Sequence, residues 1–115
     1  MHEGTIAREI IRTAKEEALK AGMEKISTIK VVIGEMHAVV EDALLFLFDL
    51  MKKEEEGMED TILSVEKKPV VVRCKKCGNE FRPEEPIFIC PSCGSMETEL
   101  ISGDEMYIES MEGEK

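Results

Sequence analysis

Val70-Val71-Val72-Arg73-Cys74-Lys75-Lys76-Cys77-Gly78, followed after an interval by Cys90-Pro91-Ser92-Cys93-Gly94, decides how this chain folds. A β-branched run leads straight into the first Cys-x-x-Cys pair, and the second pair repeats the spacing. These are the only 4 cysteines in the 115 residues. Each pair can aim two thiolates at one metal ion, and the interval allows a short hairpin that brings the pairs face to face. Four thiolates around one centre is the ligand set of a structural zinc site. Gly78 and Gly94 follow the second cysteine of each pair, where a tight turn can point backbone N–H groups at sulfur. A rubredoxin-like iron centre uses the same ligands and stays open. A disulfide relay would need only one pair. Four thiolates also close the coordination sphere, which argues against catalytic zinc.

Working outward, Thr5 to Ala21 has helical periodicity. Ile6, Ile10, Ala14 and Ala18 recur at i+4, with Ile11 and Leu19 beside them; Thr5 stands at the N-cap and Gly22 at the C-terminal stop. Ile26 to Ile33 reads as a strand, with Ile29, Val31 and Ile33 on one face. Val40 to Lys53 reads as a second helix, its apolar face built from Val40, Leu44, Leu47 and Met51. Glu41-Asp42 in its first turn and Lys52-Lys53 in its last both suit the helix dipole. Thr61 to Val65 is a second strand. Phe81, Ile87, Phe88 and Ile89 are expected to form a small core in the cysteine hairpin. Met106 to Met111 alternates as a final strand, with Met106, Ile108 and Ser110 on one face, and Glu112 to Lys115 is expected to fray.

A strand–helix–strand order implies a parallel pair with helices packed on one face. The expected class is therefore α+β: a small α/β domain, two helices on a three-stranded mixed sheet, carrying an inserted zinc-ribbon-like domain built on the four cysteines. The expected boundaries are residues 1–70 and 101–115 for the first and 71–100 for the second.

Composition narrows the function. Net charge is −10 with only 4% aromatic residues, so phosphate backbones are repelled and base-stacking platforms are scarce. Arg73, Lys75 and Lys76 cluster at the first knuckle, where they read as solvated residues beside negative thiolates. The N-terminus has neither a basic nor an apolar leader segment. The longest apolar run, Ala43 to Phe48, is far short of the roughly 20 residues that span a bilayer. Neither nucleic acid nor membrane is an expected partner, and a cytoplasmic location is expected. A reducing compartment favours metal-bound thiolates over disulfides.

The chain holds 2 histidines, His2 and His37. At position 2, the free α-amine of Met1, the His2 backbone nitrogen and its imidazole can close adjoining chelate rings on one cation. The backbone nitrogen of Glu3 would complete four nitrogens in a plane, a geometry that selects Ni(II) or Cu(II) over zinc. A bulky second residue is expected to protect the initiator methionine and so keep this register. On chemistry alone a histidine at a terminus is ordinarily incidental. His37 reads as a turn or helix-cap residue.

Met1-His2-Glu3, Ile33-Gly34-Glu35, Glu41-Asp42-Ala43-Leu44, the two cysteine knuckles and Gly103-Asp104-Glu105-Met106-Tyr107-Ile108 occur here in one order. In these motifs nearly the whole chain resembles the HypA/HybF family of hydrogenase-maturation nickel chaperones. The resemblance implies a nickel site at Met1, His2 and Glu3, and structural zinc on Cys74, Cys77, Cys90 and Cys93. It implies a binding protein, not an enzyme, that delivers Ni(2+) to the [NiFe]-hydrogenase large-subunit precursor with a HypB-type GTPase; self-association is left open. The chain departs from the family pattern at His37, where many relatives carry Ser, and at Val40, where Pro is common. Gly4 replaces a larger residue and would loosen the N-terminal arm.

Two other classes compete. A zinc-ribbon module for protein or nucleic-acid interaction accounts for the cysteines but not for Met1-His2-Glu3, and the charge opposes it. A small enzyme would need a nucleophile, phosphate loop or open metal site, and no such pattern can be placed. Glu35, Glu41 and Asp42 near His37 read as a solvated helix start.

Overall fold

The computed structural model describes residues 2–85 and 87–115. The first sheet holds β1 (Lys25–Gly34), β2 (Ile62–Lys68) and β6 (Met106–Glu114), with β1 in the centre. β1 and β2 run parallel, from Thr28↔Ile62 to Gly34↔Lys68, and β6 returns antiparallel along the other side of β1. This is the mixed sheet that the strand–helix–strand order requires. Helices α1 (Glu3–Ala21) and α2 (Glu41–Lys52) pack over the core.

That core joins Ile6, Ile10 and Ala14 of α1 to Leu44 and Phe48 of α2 and to Ile29, Val31 and Ile33 of β1. Gly22 closes α1 in the left-handed conformation (φ 70°), its N–H on the carbonyls of Ala18 and Leu19, as its position predicts. Three expectations shift. α1 begins at Glu3, with His2 and not Thr5 as the N-cap, so Glu3 and Gly4 belong to the helix rather than to a loose arm. Leu19 is exposed. Val40 is exposed as the N-cap of α2, and Val39 is buried in its place.

Two β-bulges reset the sheet faces. Between Ile26↔Gly113 and Thr28↔Glu112, Ser27 is the extra residue, and its hydroxyl donates to the Glu112 carbonyl at 3.0 Å. Ile26 and Ile29 therefore both reach the core. Between Lys30↔Ser110 and Val31↔Ile108, Glu109 is extra. Ile108 and Met111 thus share the core side, and Ser110 does not join Ile108 there. The strand also runs on to Glu114, whose carbonyl accepts the Glu24 N–H at 2.8 Å, so residues 112–114 are not frayed.

The second sheet has order β4-β3-β5, with β3 (Val71–Cys74), β4 (Glu80–Phe81) and β5 (Thr98–Ser102) all antiparallel. The buried residues around the four cysteines are Val72 and Cys74 of β3 and Cys90 of the second knuckle, while Ile87 and Ile89 are 57% and 46% exposed, so the expected aliphatic core does not form from them. The radius of gyration is 17.7 Å, against about 13 Å for a compact domain of this length. The two sheets therefore extend the molecule instead of sharing one core.

The segments joining the sheets cross with almost no clearance. The N–H of Gly34 donates to the Glu105 carbonyl at 2.7 Å, and the N–H of Met36 to the Gly103 carbonyl at 2.8 Å. A Cβ on Gly34 would overlap the Gly103 carbonyl oxygen. One on Gly103 (φ 119°) would lie 2.7 Å from the Cα of Val70.

Candidate metal centres

The two cysteine knuckles share one set of backbone bonds. Cys74 N–H donates to the Asn79 carbonyl and Gly78 N–H to that of Cys74, both at 2.9 Å. Cys90 N–H donates to the Ser95 carbonyl at 2.9 Å and Gly94 N–H to that of Cys90 at 2.8 Å. Gly78 and Gly94 adopt φ 76° and 73°, and an added Cβ would meet nothing at either, so conformation alone calls for glycine there.

The hairpins bring all four sulfurs within 4.8 Å of one another. Cys74 Sγ lies 3.5 Å from Cys93 Sγ, and Cys77 Sγ 3.5 Å from Cys90 Sγ. A tetrahedron of thiolates at the usual Zn–S distance has sulfur–sulfur edges of roughly 3.8 Å. A disulfide would need about 2.05 Å. The cluster therefore fits a structural zinc site.

Its electrostatics suit that role. The N–H groups of Cys77 and Lys76 face Cys74 and hold its thiol below the ordinary value. Burial would raise Cys90, but the N–H groups of Cys93 and Ser92 and the thiols of Cys77 and Cys93 outweigh it and bring Cys90 to about 6. The N–H of Ser95 faces Cys93, yet that thiol is pushed up to about 12 as its neighbours, Cys74 foremost, compete for protons. Four sulfurs sharing protons this closely are poised to exchange them for one divalent cation. Asn79 Nδ2 also points at Cys90 Sγ, at 3.9 Å.

At the other end of the chain, His2 is exposed and caps α1, its carbonyl accepting from the N–H groups of Thr5 and Ile6 at 3.1 and 3.2 Å. Met1, the first expected nickel ligand, lies outside the described residues. The Glu3 carboxylate accepts the Val40 N–H at 2.9 Å, where α2 starts. That bond, and one from its own N–H, hold the Glu3 carboxyl below the ordinary carboxylate value. His37 sits in the 3-10 turn Glu35–His37, with Nε2 2.8 Å from the Asp104 carbonyl, which matches the expected turn role. Lys67 Nζ donates to the Val39 carbonyl at 2.7 Å. Residues 36–40 are thus pinned by Glu3, Lys67 and the turn before β6. None of these long-range partners is signalled by local spacing.

The four-cysteine cluster is the only grouping of three or more potential metal ligands among the described residues. Among the described residues, no helix is long and apolar enough to cross a membrane.

Comparison with known proteins places this pair of sites in context. The model of the family described as "Hydrogenase/urease nickel incorporation, metallochaperone, hypA" matches residues 1–113. The hydrogenase maturation factor HypA of Moorella thermoacetica is 38% identical over 114 residues, covering 99% of this chain and 100% of that protein. The HypA of Lawsonia intracellularis is 36% identical over 119 residues, covering 99% and 100%. The solution structure of the Ni metallochaperone HypA from Helicobacter pylori superposes with a TM-score of 0.71 at 29% identity, covering 99% of this chain and 98% of that one. Fold, four-cysteine cluster and end-to-end sequence agreement together establish that the chain belongs to the HypA family of hydrogenase-maturation nickel metallochaperones.

Proposed function

We propose that this protein binds Ni(II) at its N-terminus and passes it to the [NiFe]-hydrogenase large-subunit precursor, assisted by a HypB-type GTPase. The nickel ligands are the amine of Met1, the backbone nitrogen and imidazole of His2, and the backbone nitrogen of Glu3. Residues 1–70 and 101–115 carry this site. Residues 71–100 form an inserted domain held by zinc on Cys74, Cys77, Cys90 and Cys93. The protein acts in the cytoplasm as a carrier without catalytic turnover.

The observation that carries the reading is the placement of His2. It is exposed, at the first cap of α1, where backbone N–H groups have no partner inside the helix. The Glu3 N–H donates to its own carboxylate and not into the helix, so giving up its proton to a metal breaks no helical bond. Planar nitrogen coordination selects nickel over zinc by geometry. Binding needs a neutral imidazole and loss of amide protons, so acid opposes loading. Ligands at a terminus can be released one at a time, as handing over a cargo metal requires.

The test uses untagged, zinc-loaded protein. One equivalent of added nickel is expected, with the absorption band of planar nitrogen coordination. An N-terminal tag or His2→Ala should abolish that band and leave zinc content unchanged. Equal planar nickel binding by the tagged protein overturns the assignment. Delivery is read separately, as nickel gained by purified apo large-subunit precursor when the GTPase and GTP are present.

A further inference from the structure

β6 is the outer strand of its sheet, so one edge of its backbone has no strand partner among the described residues. Alongside it, between β6 and α1, runs an open groove of about 770 Å³. Ile10, Val31 and Ile33 line it from the helix and the central strand. Ile108 and Met111, turned to this side by the bulge at Glu109, remain only half-buried, although Ile10, Val31 and Ile33 are all buried. A strand laid along β6 would complete the burial of both residues and satisfy the free edge.

The rim fixes the chemistry of that strand. Glu9 and Glu17 border the groove on the α1 side and Glu109 on the β6 side. Nearby cations cancel them only in part: Lys20 lies 3.6 Å from Glu17 and Lys30 3.2 Å from Glu109, while Arg12 is shared between Glu9 and Glu16. Further along β6, neither Glu112 nor Glu114 forms an ion pair among the described residues. Two copies joined edge to edge through β6 would set Glu109, Glu112 and Glu114 of one against those of the other. These carboxylates protect the edge from its own kind. They would attract a cationic segment.

We infer that the α1–β6 groove receives an extended segment of a partner protein that alternates basic and aliphatic residues and adds to β6 as a fourth strand. Main-chain bonds to β6 supply affinity, alternate aliphatic side chains fill the groove, and the intervening cations face Glu109, Glu112 and Glu114 of β6.

The test titrates full-length zinc-loaded protein with an octapeptide of four Lys-Val repeats, using Glu-Val and Lys-Ser octapeptides as controls. Tyr107 borders the groove and is the sole tyrosine in a chain without tryptophan, so its emission reports occupancy. Only the Lys-Val peptide should bind saturably, slow amide exchange along Met106–Glu114, and weaken by about fivefold or more at 0.5 M salt. Thr13→Phe, which fills the groove from the helix side, should weaken binding about tenfold with zinc content unchanged. Glu109→Lys with Glu112→Lys should transfer the preference to the Glu-Val peptide, a result that does not depend on Thr13→Phe folding normally. Equal binding of the Glu-Val peptide to the unaltered protein, protection elsewhere than β6, or no saturable binding up to about 1 mM overturns the inference.

Discussion

The Glu3 carboxylate accepts the Val40 N–H at 2.9 Å and so ties the first turn of α1 to the start of α2. Val40 caps α2 but has no side-chain oxygen to offer, and Glu3 supplies a carboxylate beside the positive end of the helix dipole. Glu3→Gln keeps the shape and removes the charge. Because the folded carboxyl sits below its ordinary value of 4.5, its contribution is complete above that pH. It is lost as pH falls through the folded value. Glu3→Gln should therefore melt a few degrees lower near neutrality, with the gap to the unaltered protein closing below pH 4.5. Melting curves from neutrality into acid check this. A gap independent of pH would mean that the charge is not what matters.

Gly34 and Gly78 predict opposite outcomes for the same substitution. In Gly34→Ala the new methyl would overlap the Gly103 carbonyl oxygen, and no flexible side chain can yield. We expect a loss above about 4 kcal/mol, or failure to fold. Gly78→Ala meets open space and bears only the left-handed conformation at φ 76°, costing about 1–2 kcal/mol. Denaturant unfolding of both proteins separates the two cases.

The features legible in the sequence were those set by local spacing. The i+4 stripe of α1, the β-branched run of β1 and the two Cys-x-x-Cys-Gly turns act within a few residues, and each pattern selects its own geometry. What escaped depends on partners far away in the chain. Ser27 and Glu109 become bulges only when β6 meets β1, and that decides that Ile108 and Met111 face the core while Ser110 does not. The cap on Val40 comes from a residue 37 positions earlier. Ile87 and Ile89 looked like core residues by composition, yet Cys74 and Cys90 of the four-cysteine cluster are buried there while both isoleucines stay exposed. Gly34 lies just past the strand read over Ile26 to Ile33, and only the crossing of residues 103–105 over it requires glycine.

Thr61 is the buried polar side chain of the first core, and its hydroxyl donates to the Ile26 carbonyl at 2.6 Å, just before the Ser27 bulge. Thr61→Val preserves shape but leaves that carbonyl without this donor. A loss of about 1–3 kcal/mol is expected. Thr61→Ser, which keeps the hydroxyl and loses a methyl, should cost less. If valine proves the milder change, the hydroxyl contributes nothing net and packing alone holds the site. Paired urea titrations of the two variants decide.

Zinc removal should unfold one sheet and spare the other. The second sheet and its knuckles bury Val72, Cys74 and Cys90, whereas the rest of the buried core lies in α1, α2, β1, β2 and the segments that join them. So little apolar burial cannot offset the cost of ordering some thirty residues, and metal binding must supply the difference. Chelation, or Cys90→Ser, should therefore abolish amide protection over Val71–Cys74 and Thr98–Ser102 while Lys25–Gly34 and Ile62–Lys68 stay protected. The close crossing of Gly34 with Gly103 sets a limit to this independence: β6 should retain protection toward Glu114 and lose it first at Met106, beside the turn that leads out of the melted sheet. Hydrogen exchange with and without chelator reads both effects in one experiment. Uniform loss across both sheets would mean that zinc supports a single cooperative unit, and undiminished protection of the second sheet would mean that its strands hold without metal.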